Sequence, residues 1–320
     1  MSEQKKILIT RRVPDAVTER ALGAYQATIN AADDPYGSAD MLARAQGMDG
    51  LLCTITNTID GEVIMALPDS VRIIATFSVG FEHIDLATAK RRGIVVTNTP
   101  GVLTDATADI ALLLMLGAAR RVPEGVQMIG DGWTGWTPTQ LMGIEVAGKR
   151  LGIVGMGDIG RAVAARARAF GMDIHYFNRH RLSPDLEHGA TFHETLESLL
   201  PVSDFLSLHC PLSPETRHLL NAERIALLPE RPVVINTARG PVVDDQALIA
   251  ALKSGRVAAA GLDVFEGEPH IAAGYHDCPT AFLLPHLGSA TVETRNAMGF
   301  RALDNLDAFF AGQEPPNRIA

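Results

Sequence analysis

The feature that most constrains the fold of this chain is a glycine-rich turn at residues 151–160, LGIVGMGDIG. An apolar run of strand-forming residues leads into the turn, and a helix-like segment with small residues follows it. Gly155 permits a tight turn, Gly157 lets a ligand approach the backbone, and Gly160 lets the helix pack closely on the strand. The pattern therefore predicts a strand–turn–helix unit within a parallel sheet.

Short apolar runs alternate with helix-like segments along the chain, in two successive series. The runs of the first series lie at 6–10, 50–54, 72–77 and 94–97, and those of the second at 151–155, 174–177, 205–209, 233–236, 258–264 and 281–284. Strands that alternate with helices favour parallel sheets covered by helices on both faces. We therefore predict an α/β fold with two doubly wound parallel-sheet domains.

The domain boundary is predicted at NTPG, residues 98–101, because the proline and glycine end a strand and a long apolar helix follows over 102–120. A second long amphipathic segment, 290–311, comes after the last strand of the second series, and we expect it to return to the first domain. The predicted first domain is discontinuous and comprises residues 1–99 and 287–320. The second comprises residues 100–286.

Charge and cysteine content exclude several classes of protein. The net charge of −9 argues against a nucleic-acid partner, because phosphate backbones need a basic surface. The apolar run at 110–119 is too short to span a bilayer, and no run of signal-peptide length precedes the first strand. We therefore expect no membrane partner. Cys53, Cys210 and Cys278 lie far apart and fit no zinc spacing, so we expect no metal site and a reduced, cytoplasmic protein.

The glycine-rich turn has the sequence context of a dinucleotide-binding site. A helix that starts at such a turn offers free N–H groups and the positive end of its dipole, here near Asp158 and Ile159, to a pyrophosphate. The alternative is a tight turn with no ligand. The context on both sides of the glycines favours the binding site.

The segment HYFNRHR, residues 175–181, ends the next strand, where NAD-binding proteins usually place an acidic residue for the adenosine ribose. This chain has Asn178, Arg179 and Arg181 there instead. A carboxylate would repel the 2′-phosphate of NADP, whereas arginines form charge-assisted hydrogen bonds with it. The segment therefore predicts a preference for NADP(H) over NAD(H), although a solvated basic loop is the alternative.

Three ionisable residues follow strands of the second series. They are Arg239 in VVINTARG, Glu268 in GLDVFEGEP and His286 in AFLLPHLGSAT. Each alone could be an ordinary loop or core residue. Ligands of open α/β sheets bind at the carboxyl ends of the strands, so three such residues there indicate a catalytic site.

The segments GMGDIG, NTARGPVVD, AAGLDVFEGEP, LPHLGSAT and SVGFEHID together resemble the D-isomer-specific 2-hydroxyacid dehydrogenase family. The resemblance covers nearly the whole chain, and is strongest to glyoxylate/hydroxypyruvate reductases and 2-ketogluconate reductases. It implies a Rossmann cofactor domain inserted into a flavodoxin-like substrate domain. It also implies a homodimer, to which the helix 102–120 and the arm after it would contribute.

The resemblance implies catalytic roles that these residue types can perform. His286 would be the general acid–base, since an imidazole can donate or accept a proton near neutral pH. Glu268 would orient that imidazole and favour its protonated form. Arg239 would bind the substrate carboxylate with its planar fork and polarise the keto oxygen.

Further substrate and cofactor contacts are implied in the same way. The substrate contacts are Cys53, Thr54, Val79 and Gly80, besides Arg239 and His286. The cofactor contacts are Thr107, Gly155, Gly157, Asp158, Ile159, Gly160, Asn178, Arg179, Arg181, His209, Cys210, Pro211, Thr237, Ala238, Asp263, His286 and Gly288.

The predicted function is the NADPH-dependent reduction of a small 2-keto acid, such as glyoxylate, hydroxypyruvate or 2-ketogluconate, to the D-2-hydroxy acid. A phosphoglycerate-type dehydrogenase is an alternative, although only 34 residues follow His286 and we expect no appended regulatory domain. A second alternative is a non-enzymatic, cofactor-sensing binding module, like the corepressors that resemble this family.

Overall fold

A computed structural model describes residues 4–320. Residues 1–3, which begin the N-terminal segment considered above, lie outside the described part. The chain forms two compact units. Unit 1 contains the described residues up to Leu103 together with Ala290–Ala320, and unit 2 contains Thr104–Ser289.

Unit 1 is built on a five-stranded parallel sheet. Its strands are β1 (Lys6–Ile9), β2 (Gln26–Ile29), β3 (Gly50–Cys53), β4 (Ile73–Thr76) and β5 (Val95–Thr97). Their spatial order is β2-β1-β3-β4-β5, and every pairing is parallel. This order is the flavodoxin-like one, with the switch point between β1 and β3.

Five helices accompany this sheet. They are α1 (Asp15–Ala24), α2 (Ser38–Arg44), α3 (Gly61–Ala66), α4 (Leu86–Arg92) and, from the C-terminal segment, the helix Val292–Phe310. Local sequence explains several of their ends: the side chain of Asp60 caps α3 and that of Asp85 caps α4. Gly93 ends α4 with a positive φ of 68°.

Unit 2 is built on a seven-stranded parallel sheet. Its strands are β6 (Arg150–Val154), β7 (Asp173–Phe177), β8 (Thr191–His193), β9 (Phe205–Leu208), β10 (Val233–Asn236), β11 (Ala259–Leu262) and β12 (Ala281–Leu283). The order is β12-β11-β10-β9-β6-β7-β8, which is the Rossmann order with one added strand. The strand order reverses between β6 and β9, so the crevice for a ligand is expected there.

The helices of unit 2 flank this sheet. They are α5 (Thr104–Ala119), α6 (Val122–Gly130), α7 (Asp158–Ala169), α8 (Pro184–Glu187), α9 (Leu196–Leu199), α10 (Ala222–Leu227) and α11 (Asp245–Lys253). With these counted, the C-terminal helix Val292–Phe310 of unit 1 is α12. Three 3₁₀ turns lie at Leu200–Val202, Gly240–Val242 and Ala273–Asp277.

The apolar helix α5 is a core element. A side chain at Gly117 would meet Phe282 at 2.3 Å, and one at Gly261 of β11 would meet Leu114 at 2.8 Å, so two glycines allow α5 to lie directly on the sheet. Within residues 4–320, no helix is both long enough and apolar enough to cross a membrane.

The two parallel α/β sheets confirm the predicted fold class. The boundaries lie slightly later than the sequence predicted, at 103/104 and 289/290 instead of 99/100 and 286/287. Val102 and Leu103 pack on the core of unit 1, which keeps the segment after Pro100 there. At the other boundary, residues 286–288 are hydrogen-bonded to Asp263 and so remain with unit 2.

Candidate functional site

The candidate site in unit 2 lies along the carboxyl edge of its sheet. Because all seven strands are parallel, the segments after β6, β9, β10, β11 and β12 emerge at one edge. These segments carry the glycine-rich turn, His209–Pro211, Thr237–Arg239, Asp263–Glu268 and His286–Gly288. The fold therefore brings most of the residues predicted from the sequence to the same side of one sheet.

The glycine-rich turn is shaped by backbone contacts that require glycine. Gly155 has a φ of +95°, and an added side chain would meet the nitrogen of Cys210 at 2.7 Å. A side chain at Gly160 would meet the carbonyl oxygen of Gly155 at 2.3 Å. By contrast, no atom lies within 4 Å of the Cβ position of Gly157.

Gly157 is also the N-cap residue of α7, and no side chain caps this helix. The first turn of α7 therefore has N–H groups without a side-chain partner, beside open space where a larger residue would sit. These properties fit the pyrophosphate of a dinucleotide, which needs backbone donors, a positive dipole end and close approach.

The end of β7 places its polar residues in three different environments. Asn178 contacts the glycine-rich turn, where its Oδ1 accepts a hydrogen bond from the N–H of Met156 at 2.7 Å. Arg181 donates to both carboxylate oxygens of Glu187, from Nε at 2.8 Å and from Nη2 at 3.1 Å. Arg179 is exposed, and its side chain makes no hydrogen bond or ion pair within residues 4–320. The two arginines that the sequence presented as equivalent are therefore different.

His286 and Glu268 form a hydrogen-bonded pair. The Nδ1 of His286 lies 2.7 Å from Oε2 of Glu268, and about a third of each side chain is exposed. The other oxygen, Oε1, accepts the N–H of Phe265 at 2.7 Å, which fixes the carboxylate. Partial burial acts to raise the pKa of Glu268, but His286, the Phe265 N–H and the charge of Arg239 outweigh it and hold that pKa below its ordinary value.

The turn that carries His286 is held from two sides. His286 itself adopts a left-handed backbone with a φ of +56°, which is uncommon for a residue with a side chain. The carboxylate of Asp263 accepts the N–H groups of Leu287 at 2.6 Å and Gly288 at 2.7 Å. The Oγ1 of Thr107 donates to the carbonyl oxygen of Gly288 at 3.1 Å.

Asp263 and Thr107 are both buried, at 1% and 5% exposure. Burial raises the pKa of Asp263 above its ordinary value, although its two N–H donors and His286 act in the opposite direction. In this structure, Asp263 and Thr107 hold the His286 turn, and their predicted contacts to a cofactor remain predictions.

Arg239 projects from a loop that its neighbours fix closely. The side chain of Asn236 accepts the N–H of Ala238 at 3.0 Å and donates to the carbonyl oxygen of Arg239 at 3.0 Å. The next residue, Gly240, lies so close to Phe265 that an added side chain would meet the Phe265 carbonyl carbon at 1.8 Å. The loop of Arg239 thus packs directly on the segment that leads to Glu268.

His209 connects the ends of β9 and β10. Its Nε2 lies 2.8 Å from Oγ of Ser207, and its Nδ1 lies 3.3 Å from Oγ1 of Thr237. Burial lowers the pKa of His209 to about 4, so the ring is neutral at physiological pH. Burial also raises the pKa of Cys210 to about 11, which argues against a nucleophilic thiol.

Unit 1 contains the residues predicted to contact substrate. After β4, the carbonyl oxygen of Val79 accepts a hydrogen bond from Asn98 at 2.8 Å and that of Gly80 accepts one from Ser78 at 2.6 Å. Their own N–H groups make no hydrogen bond within the described part of the chain. Two partly exposed donors are thereby left available for an anion.

Cys53, the last residue of β3, and Thr54, the residue after it, lie in different environments. Cys53 is fully buried in a core cluster, where burial raises the pKa of its thiol to about 12. Its side chain is therefore a core group, and the structure gives no support to the predicted substrate contact. Thr54 is partly exposed, and its N–H donates to Oδ1 of Asn57 at 3.0 Å.

Sequence analysis missed the residues that support the site without forming it, namely Ser78, Asn98, Glu187 and Asn236. A signal was present for Asn236, because it is a polar residue at the end of an apolar strand. Glu187 lies in a short segment with no pattern of its own. No group of three His, Cys, Asp or Glu residues among the described residues is placed to hold a metal ion.

Comparison with known proteins identifies relatives along the whole chain. The profile of the NAD binding domain of D-isomer specific 2-hydroxyacid dehydrogenases matches residues 112–288. The glycerate dehydrogenase of Hyphomicrobium methylovorum is 47% identical over 321 residues, which cover 99% of this chain and 99% of that enzyme.

Solved structures agree with this result. One is a protein from Polaromonas sp. that is assigned to the NAD-binding D-isomer specific 2-hydroxyacid dehydrogenases. It is 46% identical to this chain with a TM-score of 0.95, and the match covers 99% of this chain and 100% of the Polaromonas chain. An NADPH-dependent glyoxylate/hydroxypyruvate reductase from Sinorhizobium meliloti, in complex with NADP and malonate, has 34% identity and a TM-score of 0.88, covering 99% and 97%.

The profile matches more than half of the chain, and the glycerate dehydrogenase aligns with it from end to end. The fold and the glycine-rich turn are consistent with a match to an NAD binding domain. This chain belongs to the D-isomer-specific 2-hydroxyacid dehydrogenase family of oxidoreductases.

Proposed function

We propose that this protein catalyses the NADPH-dependent reduction of a small 2-keto acid to the D-2-hydroxy acid, with glyoxylate, hydroxypyruvate and 2-ketogluconate as the candidate substrates. The observation that carries the proposal is the 2.7 Å contact between His286 and Glu268 at the carboxyl edge of a dinucleotide-binding sheet. The names of two relatives, a glycerate dehydrogenase and a glyoxylate/hydroxypyruvate reductase, support small acids of this class.

His286 is proposed to donate the proton to the carbonyl oxygen of the substrate. Its Nδ1 is engaged by Glu268, so Nε2 is the ring nitrogen available to exchange a proton with a substrate. Because the carboxyl of Glu268 stays ionised, it stabilises the imidazolium from which the proton leaves. A bound NADPH would supply the hydride.

Arg239 is proposed to bind the substrate carboxylate and polarise the keto oxygen. Its guanidinium is a planar donor that can contact two oxygens at once. The side chain of Asn236 restricts this loop by bonding the N–H of Ala238 and the carbonyl oxygen of Arg239. The guanidinium itself is held by the hydrogen bond that its Nη1 donates to the carbonyl oxygen of Ala238 at 2.7 Å, so it starts from a defined position. In unit 1, the N–H groups of Val79 and Gly80 are proposed to hold a substrate carboxylate.

The preference for NADP(H) is proposed from the end of β7. Arg179 offers an exposed guanidinium, and no acidic residue occupies positions 178–181. The Sinorhizobium meliloti relative, which is NADPH-dependent, supports this assignment. Charge-assisted contacts of an arginine to the 2′-phosphate would distinguish the two cofactors.

A homodimer is proposed from the exposed apolar residues of α6 and the segment after it. Val126 and Ile129 are 67% and 65% exposed, and Trp133 and Trp136 are 50% and 72% exposed. Contiguous apolar residues of this kind mark interaction surfaces in globular proteins. Sedimentation equilibrium of the wild type and of Trp136→Ser should show a dimer that the substitution weakens.

The deciding experiment is a turnover assay with NADPH and each of glyoxylate, hydroxypyruvate, pyruvate and 2-ketogluconate. We expect oxidation of NADPH with at least one of them and formation of the D-isomer. The variant His286→Ala should lower kcat by about 10²–10⁴-fold, the usual contribution of a positioned acid. NADPH affinity should change far less than kcat, because His286 is not placed at the phosphates of the cofactor, although it is among the predicted cofactor contacts.

The matched control is His276→Ala, an exposed histidine elsewhere in unit 2. Near-normal kcat in His286→Ala would remove this residue from the mechanism. If no keto acid is turned over while NADPH binds, the protein is a cofactor-binding module. A strong preference for 3-phosphohydroxypyruvate over all four substrates would identify a phosphoglycerate-type dehydrogenase instead.

A further inference from the structure

Glu187 is a buried carboxylate beside the proposed 2′-phosphate site. It is the last residue of α8 and is 5% exposed. Its oxygens accept the two hydrogen bonds from Arg181, at 2.8 and 3.1 Å, and Oε1 also accepts the hydroxyl of Tyr176 at 2.5 Å. Two parallel bonds between a guanidinium and a carboxylate are the most directional arrangement that this pair can form.

The position of this carboxylate is fixed independently of Arg181. The Nη2 of Arg168 donates to the backbone carbonyl oxygen of Glu187 at 2.8 Å, and Tyr176 is fully buried. The hydrogen bonds from Arg181 and Tyr176 outweigh burial and hold the pKa of Glu187 below its ordinary value. Glu187 is therefore a permanent negative charge at a fixed place, and the Arg181 side chain is held against it.

Arg179 has no such partner. It is exposed, and its side chain makes no hydrogen bond or ion pair within residues 4–320; its charge lowers the pKa of Glu215, after the larger effect of the hydrogen bond from Ser213. Of the two arginines after β7, one is held in a two-bond ion pair with a carboxylate and the other is not. A dianionic phosphate would therefore meet one net positive charge in this segment and not two.

Resting on the proposed use of NADP, we infer that Glu187 is a cofactor-specificity residue. It neutralises and immobilises Arg181, so that Arg179 alone recognises the 2′-phosphate. Glu187 thereby makes the preference for NADPH over NADH smaller than the preference that two unpaired arginines would produce. Removing the charge of Glu187 and removing the charge of Arg181 should therefore change NADPH affinity in opposite directions. Each removal leaves the remaining charge of the pair uncompensated near the phosphate.

The test compares the wild type with Glu187→Gln, Arg181→Gln and the double variant. The dissociation constants of NADPH and NADH are measured by fluorescence titration at low ionic strength. Glu187→Gln should bind NADPH about two- to fivefold more tightly, the range expected for one exposed charge interaction, and Arg181→Gln should bind it more weakly by a similar factor. The double variant should return to within about twofold of the wild type, because the pair contributes no net charge.

Two further variants separate charge from structure. Asp185→Asn makes the same charge change on the exposed side of α8 and should alter NADPH binding less than Glu187→Gln does. Tyr176→Phe removes a hydrogen bond from Glu187 but no charge, so the ratio of the two dissociation constants should stay at its wild-type value. Thermal melting of each variant checks that it is folded, and NADH binding serves as the internal reference.

The outcomes distinguish this inference from the proposed function on which it rests. If the double variant binds NADPH as weakly as Arg181→Gln, then Arg181 reaches the phosphate directly and the inference is wrong. Unchanged NADPH binding in Glu187→Gln would also overturn it. If the wild type binds NADPH and NADH equally and Arg179→Gln changes neither, the proposed NADP preference itself fails.

Discussion

Thr107 in α5 donates a hydrogen bond to the carbonyl oxygen of Gly288, two residues after His286, at 3.1 Å. Asp263 accepts the two N–H groups of the same turn. The backbone that presents the imidazole is therefore fastened to a helix on one side and to a strand end on the other. A left-handed residue such as His286 keeps its conformation only where its surroundings determine it.

Thr107→Val should impair both stability and turnover. The substitution leaves the buried carbonyl oxygen of Gly288 without its donor, which costs about 1–3 kcal/mol of unfolding free energy. Loss of this anchor should also lower kcat, since the imidazole is less precisely held. Thr107→Ser retains the hydroxyl and should recover most of both, as measured by urea denaturation and steady-state kinetics. A fall in stability with unchanged kcat would show that the anchor has no part in positioning His286.

Glu268→Gln should lower the rate of the reduction. The carboxylate accepts a hydrogen bond from Nδ1 of His286 at 2.7 Å and supplies a negative charge beside the proton-donating ring, whereas an amide keeps the shape without the charge. The measurement is kcat/KM for the keto acid. Glu266→Gln, which removes a charge that pairs with Arg217 and His218, is the matched control. Equal kcat/KM for Glu268→Gln and the wild type would mean that the pair is not coupled in solution.

Arg239→Lys should be harmful although the charge is kept. An ammonium is a point donor and cannot reproduce a two-pronged contact to carboxylate and keto oxygens. We expect kcat/KM to fall by roughly 10- to 100-fold and KM to rise by less. Arg231→Lys, at an exposed position of unit 2, should behave like the wild type. If KM alone changes, Arg239 supplies only uniform binding of the substrate.

Arg179→Gln should reduce the preference for NADPH over NADH. An exposed charge-assisted hydrogen bond contributes about 1.5 kcal/mol, which corresponds to roughly a tenfold change in the ratio of kcat/KM for the two cofactors. Added salt should weaken NADPH binding more than NADH binding in the wild type, and this difference should shrink in the variant. His180→Gln, at the neighbouring exposed position, should leave the ratio unaltered. An unchanged ratio in Arg179→Gln would mean that this residue is part of a solvated loop.

His209 should make the folded state sensitive to mild acid. Its pKa is about 4 in the folded protein and about 6.5 when unfolded, so the unfolded chain takes up the proton first as pH falls. The stabilisation of the folded state that comes from the neutral His209 has its full value above pH 6.5, and it is lost as the pH falls from 6.5 to 4. His209→Gln removes the titration, and the stability difference between the two proteins should change by about 2–3 kcal/mol between pH 7 and pH 4.5. Parallel pH dependences in urea denaturation would contradict this.

Strongly patterned elements of the fold were predictable from the sequence. The long helices and the apolar strands of unit 2 have clear hydrophobic patterns, and the glycine-rich turn has a clear motif. The observed ends of β6, β9 and β10 lie within one residue of the predicted ends. Strands β2 and β8 were missed. β2 (QATI) and β8 (TFH) are short, partly exposed strands at the edges of their sheets, so they show no buried apolar run.

The placement of Arg239, Glu268 and His286 after strand ends was predictable from the sequence, and their catalytic roles stay predictions. Their supporting contacts were not predictable, because each joins segments that are far apart in the chain. Glu187 is the clearest case: its pairing with Arg181 depends on how α8 follows β7, and local composition does not reveal it. The burial of Cys53 was not predicted either, because a residue at the end of a strand can face either the core or the solvent.

The contact between Gly240 and Phe265 has a consequence for how this enzyme can evolve. Every amino acid other than glycine carries a Cβ, and here that atom would overlap the backbone of Phe265 at 1.8 Å. A flexible neighbour cannot relieve the overlap, because the obstructing atom belongs to the main chain. No single substitution at position 240 is therefore tolerated without moving the segment that leads to Glu268. Random mutagenesis of the loop that carries Arg239 should recover glycine at this position in every active clone, while the exposed positions around it diversify.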